Sequence, residues 1–172
     1  MFDIIEPSES TFDSGELTRV KAKSFQRILV PVDSFKSSSE LLTFAESLCR
    51  AGDGEMRVVH VRAWEEHPPS AGRYYTESSE QATAILDKAV TSAWERGLRA
   101  SGVVVEAHRP AAGSIIVEEA AKWGADVIVL TEPPRRRLRL PARGGISARV
   151  TRHATCPVVL VRPSKSISTQ RV

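Results

Sequence analysis

No apolar run in this 172-residue chain approaches the ~20 residues that a membrane-spanning helix needs. The N-terminal stretch MFDIIEPSESTFDSGEL has neither the basic start nor the apolar centre of a signal peptide. A cytoplasmic protein with no membrane partner is the expectation. Cysteine is scarce: Cys49 and Cys156 stand far apart in apolar contexts, so zinc and dithiol chemistry have no support and both read as small hydrophobes. The four histidines, His60, His67, His108 and His153, never fall at H-x-x-x-H spacing. A G-x-S-x-G elbow and a G-x-x-x-x-G-K-(S/T) loop are also missing, which removes the usual anchors of nucleophilic and P-loop catalysis. Charge of one sign is not in excess either: the formal net charge of +3 is too small to imply a nucleic-acid partner.

What is present has the balance of a globular domain, 41% hydrophobic and 26% charged, on a length that suits one domain with tails. We divide it into an N-terminal extension (1–24), a domain (25–163) and a polar C-terminal tail (164–172). The extension mixes Pro, Ser and acids without a sustained period and is expected to be mobile. Charge is distributed unevenly. Asp3, Glu6, Glu9, Asp13 and Glu16 lie in the extension, while Arg135, Arg136, Arg137, Arg139 and Arg143 crowd one stretch, which favours a local anionic ligand or a tail-to-loop contact.

Five apolar runs alternate with helical patterns. Residues 27–33 (RILVPVD) form a continuous apolar run ending in an acid, as in a strand covered on both faces, with Pro31 at its irregular end. Ser37 and Glu40 have capping-box spacing before a first helix bearing Leu41, Phe44, Ala45 and Leu48, stopped by Gly52. A second strand follows at 56–61, then a long loop over 62–78 holding Pro68, Pro69, Gly72, Tyr74 and Tyr75. Ala82, Ile85, Leu86, Ala89, Val90 and Ala93 make one helical stripe, with Gly102 as the stop. Strands are predicted at 103–107, 127–130 and 158–161, and helices at 114–123 and 145–153. The alternation implies an α/β fold: a five-stranded parallel, doubly wound, Rossmann-like sheet with helices on both faces.

The stretch 124–163 carries the most chemistry: a buried strand, an arginine-rich loop, the pair Gly144-Gly145 opening a short helix, and a last strand. Such an order presents backbone N–H groups to an anion. This stretch resembles the C-terminal half of the universal stress protein family, whose nucleotide-binding members carry G-x2-G-x9-G-(S/T) between the fourth strand and fourth helix. With Gly144 at the third glycine, Thr131 stands at the first, Pro134 at the second and Gly145 at the Ser/Thr position. The downstream match, ARVTRHATCPVVLVRP, is good, and the resemblance covers about 25–163. It implies the strand order 3-2-1-4-5, the topology of adenine nucleotide alpha hydrolase-like folds, with a crevice at the C-terminal ends of the first and fourth strands.

By position, the resemblance implies a nucleotide site at Pro31, Val32, Asp33, Val61, Leu130, Thr131, Pro134, Gly144, Gly145 and Ile146, and Arg135 and Arg143, the arginines nearest the strand and helix ends, are the candidates to contact a phosphate. It also implies a homodimer through the final strand, residues Val158, Val159, Leu160, Val161 and Arg162, whose edge has the exposed backbone such pairing needs. Asp33 at a strand end could accept from a ribose or cap the next turn. Pro134 fixes φ and removes an N–H where a glycine would admit a phosphate, so the phosphate cradle should depart from its usual shape, with arginine guanidiniums able to compensate. Two readings of the ligand stand side by side: ATP or another adenine nucleotide, or none. The expected role is a non-enzymatic regulatory or binding module in stress response, with an unidentified protein partner possible. A slow nucleotide hydrolase using Asp33 or Glu132 is the alternative, and an arginine-loop contact to acidic protein or nucleic acid ranks last, since RRRLRL lacks stacking aromatics.

Overall fold

A computed structural model describes residues 24–33, 35–67, 70–132 and 145–162. The elements run β1 (Arg27–Val32), α1 (Phe35–Gly52), β2 (Glu55–His67), β3 (Ser70–Tyr75), α2 (Ser79–Glu95) and β4 (Arg99–His108). A single 3-10 turn then leads into α3 (Ala112–Trp123), β5 (Val127–Thr131), α4 (Ile146–His153) and β6 (Val158–Val161).

The β1 strand is central because its apolar run can be covered on both faces; Ile28, Leu29 and Val30 are fully buried. It pairs in parallel with β2 on one edge and β5 on the other, β4 pairs in parallel with β2, and β6 with β5. The parallel strands thus lie in the order β4-β2-β1-β5-β6.

The expectation of a purely parallel sheet needs correction. The stretch read as a long loop contains β3, which pairs antiparallel with the far end of β2, Trp64 opposite Tyr75 and Glu65 opposite Tyr74. The sheet is therefore mixed, and in chain numbering its bonded path runs β3-β2-β1-β5-β6 with β4 attached to β2. Antiparallel pairing fits here because two neighbouring segments need only a tight turn to meet, whereas each parallel pair needs a crossover.

Side-chain alternation sorts the core into two halves. Residues Ile28, Val30 and Val32 of β1 and Met56 and Val58 of β2 pack with Leu41, Leu42 and Ala45 of α1 and with Leu86, Ala89 and Val90 of α2. Leu29, Val59, Ile128 and Leu130 point the other way, toward Ile116 and Ala120 of α3 and Val150 of α4. Two helices on each face of a sheet make the doubly wound arrangement.

Several local expectations shift. The α1 helix begins at Phe35, so Ser37 lies within its first turn and cannot be its N-cap. The capping box belongs instead to α2, where Ser78 accepts from the Gln81 N–H and Gln81 accepts from the Ser78 N–H. That helix ends before Gly97, whose φ of +77° suits a residue without a Cβ. Gly102 is not the stop but lies inside β4, where a Cβ would come within 2.8 Å of Leu86 and Val90. Phe44, read as core-facing, is partly exposed.

The outer ends of α1 and α2 are tied by Glu46, which accepts from Arg50 and from Arg96, each at 2.9 Å. The hydrogen bonds from Arg96 and then Arg50 hold its carboxyl below the usual range. Burial pushes the Cys49 thiol up to about 11, which suits a packed hydrophobe rather than a nucleophile.

Candidate functional site: a cleft between β1 and β5

The β1 and β5 strands pair only at Ile28–Val127 and Leu29–Ile128. Beyond that point Pro31 brings no N–H to extend the ladder. The chain leaving β1 enters α1 on one face, and the helix following β5, α4, packs against α3 on the other. Neighbouring strands whose connections leave to opposite faces open a crevice at their C-terminal ends. An open cleft of about 150 Å³ occupies that position, lined by Pro31, Val32, Asp33, Ser38, Val61, Thr131 and Ile146.

Each lining residue arrives for a local reason. Val32 is the last residue of β1 and Asp33 the first beyond it, exposed to the cleft. Val61 extends β2 one residue past the level of Val32, whose register partner is His60. Thr131 closes β5, and its carbonyl accepts from the Ser147 hydroxyl at 3.3 Å, holding the first turn of α4 over the strand end. The N-cap of α4 is Gly145, with no side-chain cap, and a Cβ built there would meet nothing within 4 Å. The start of α4 thus presents backbone donors and the positive end of its dipole.

Of the residues singled out from the sequence, the fold brings Pro31, Val32, Asp33, Val61, Thr131 and Ile146 to one cleft, with Gly145 beside it at the helix start. Leu130 departs from the expectation: alternation along β5 turns it into the core under α3 and α4, 4% exposed. Pro134, Arg135, Arg143 and Gly144, like most of the N-terminal extension and the C-terminal tail, lie outside the described residues. Two polar residues at the cleft were not singled out. Ser38, buried on α1, is one of a run of serines at a helix start; His60, also buried, lies beneath the cleft on β2.

Glu132, one of the two acids named for the hydrolase alternative, accepts from Arg162 Nε at 2.6 Å. This contact joins the end of β5 to the residue after β6, so Arg162, expected at a dimer contact, also bonds within its own chain. Among the described residues, no group of three His, Cys, Asp or Glu is placed to hold a metal ion.

The sequence model described as "Universal stress protein family" matches residues 24–162. This chain belongs to the universal stress protein family. The Bacillus subtilis universal stress protein YxiE is 26% identical over 153 residues, covering 80% of this chain and 99% of that protein. Two solved structures share the fold. The universal stress protein from Archaeoglobus fulgidus in complex with dAMP is 24% identical with a TM-score of 0.58, over 80% of this chain and 98% of its own. A universal stress protein in complex with cAMP is 20% identical with a TM-score of 0.64, over 82% and 99%. The family and the α/β fold expected from the sequence are both shown; the antiparallel β3 is the departure.

Proposed function

We propose that this universal stress protein is a cytoplasmic, non-enzymatic stress-response module whose binding state is set by an adenine nucleotide in the cleft between β1 and β5. The observation that carries this reading is the convergence of an exposed carboxylate, Asp33, with the uncapped start of α4 across one cleft. A carboxylate suits ribose hydroxyls, a helix start suits phosphate, and Val61 and Ile146 supply apolar walls for a base. Relatives of the same fold hold dAMP and cAMP, both monophosphates. The ion pair that Arg162 makes with Glu132 leaves that carboxylate a structural role and supports a binding module over a hydrolase.

The phosphate side of the motif carries Pro133 and Pro134 in sequence, so a second and third phosphate should add little. Calorimetric titration with AMP, ATP and cyclic AMP, with and without magnesium, is expected to give dissociation constants for AMP and ATP within about threefold of each other. Asp33→Ala should weaken AMP by roughly tenfold, the cost of about one charge-assisted hydrogen bond. Absence of both heat and thermal stabilisation at millimolar nucleotide would end this reading.

The same module is proposed to pair with a second copy through β6. Leu160 is 44% exposed on that strand, with Val158, Val159 and Val161 half-buried beside it. Sedimentation should find a dimer that Leu160→Arg converts to monomer; a monomeric parent at high micromolar concentration would refute the pairing.

A further inference from the structure

His60 is 2% exposed, and both of its ring nitrogens face oxygen. Nδ1 lies 2.9 Å from the carbonyl oxygen of Val32, and Nε2 lies 2.6 Å from Oε1 of Glu77. The carbonyl can only accept, so Nδ1 carries a hydrogen. A hydrogen must also lie between Nε2 and Oε1, on the ring or on the carboxyl, because two bare lone pairs at that distance repel. Nε2 and Oε1 are therefore joined through one hydrogen that both side chains hold.

The insertion of β3 makes this contact possible. Trp64 stands opposite His108 on β4 and opposite Tyr75 on β3. A strand has two edges, so β3 takes the edge of β2 that β1 occupies lower down. Returning along that edge, the chain bonds Thr76 N–H to the Ala63 carbonyl and reaches Glu77 just beyond the end of β1. There the backbone is pinned twice: Arg62 Nε donates to the Glu77 carbonyl at 3.2 Å, and Ser78 begins the capping box of α2. The Arg62 guanidinium is itself engaged, donating to Glu106 at 2.7 Å and stacking on Tyr75.

We propose that His60 and Glu77 form a proton-sharing latch that sets the orientation of Asp33 at the mouth of the cleft. The mechanism is the peptide plane. The Val32 carbonyl that His60 holds belongs to the same rigid unit as the Asp33 N–H, so fixing one fixes the other. Through Glu77, the latch joins the strand end that carries Asp33 to the segment entering α2, and His60 acts as a positioning residue without facing the ligand. The consequence for nucleotide rests on the function proposed above; the consequence for Asp33 does not.

The test compares Glu77→Gln with Glu77→Ala by ring ¹⁵N and backbone amide resonances and by AMP titration. A glutamine amide can donate to Nε2 of a neutral ring, which keeps the latch shut without the shared proton. Glu77→Gln is therefore expected to hold the Asp33 amide resonance and to keep AMP affinity within about threefold, while the hydrogen between Nε2 and residue 77 changes its signature. Glu77→Ala should displace the Asp33 amide and weaken AMP by roughly tenfold. An Asp33 amide unmoved in Glu77→Ala would overturn the latch, as would a parent protein with hydrogen on Nδ1 alone and Glu77 ionised. If AMP binds neither parent nor variants, the nucleotide reading falls, and the Asp33 amide in Glu77→Ala still decides for or against the latch.

Discussion

Replacing Leu29 by Ala is expected to remove about 3–4 kcal/mol of folding stability. Leu29 is fully buried at the centre of β1 and packs with Val59, Ile116, Ile128, Leu130 and Val150. Neighbours on β2, β5, α3 and α4 surround it, so the space left by the lost methyl groups has rigid walls and collapses little. Against the 5–15 kcal/mol typical of a domain, that is a large share. In urea the midpoint should fall by roughly 1–2 M with the slope unchanged. A loss under about 1 kcal/mol would contradict the packing described for this half of the core.

Gly52→Ala should be the second most damaging change, by overcrowding rather than by a void. A Cβ built at this position falls 2.2 Å from the carbonyl oxygen of Phe25 and 3.2 Å from its carbon. The obstacle is backbone leading into β1, pinned nearby by Glu55 N–H donating to the Gln26 carbonyl at 2.7 Å. It cannot turn aside as a side chain could, so we expect a cost of about 2–3 kcal/mol in chemical denaturation. Gly145→Ala is the control. Its Cβ would enter open space at an ordinary φ of −59°, and stability should stay within about 0.5 kcal/mol of the parent. A loss at Gly52 as small as the one expected at Gly145 would contradict the clash with the Phe25 carbonyl.

The central parallel strands were legible because residues covered on both faces must be apolar without interruption, and 28–32 and 127–130 are; the edge strand β6 is legible from the all-apolar run 158–161, although Leu160 is exposed on it. Asp33, Val61 and Thr131 were implied by the resemblance rather than by any pattern of their own, and the structure places all three at the ends of β1, β5 and the β1-paired part of β2. The β3 strand was not legible, since Pro68, Pro69 and Gly72 read in sequence as loop residues and Gly72, Arg73 and Tyr74 are exposed, where no apolar periodicity is required. The same cause hid the ends of β2 and β4, whose outer residues include Arg62, Glu65, Glu106 and His108. His60 and Glu77 could not be paired from sequence, because their contact depends on β3 returning along β2, a matter of register rather than of spacing. The capping box was assigned to Ser37 and Glu40 because S-x-x-E reads identically before a helix and inside its first turn.

The long β2 strand has neighbours from three parts of the chain, yet all of them are synthesised by residue 108. Its partner β1 is less fortunate. The second edge of β1 is completed only by β5, which ends at Thr131. During translation at ~5–20 residues per second, the half-made sheet would therefore present the unpaired backbone edge of β1 to its surroundings for a few seconds. That interval is when another nascent chain could pair with it, and it closes when the β5 residues emerge.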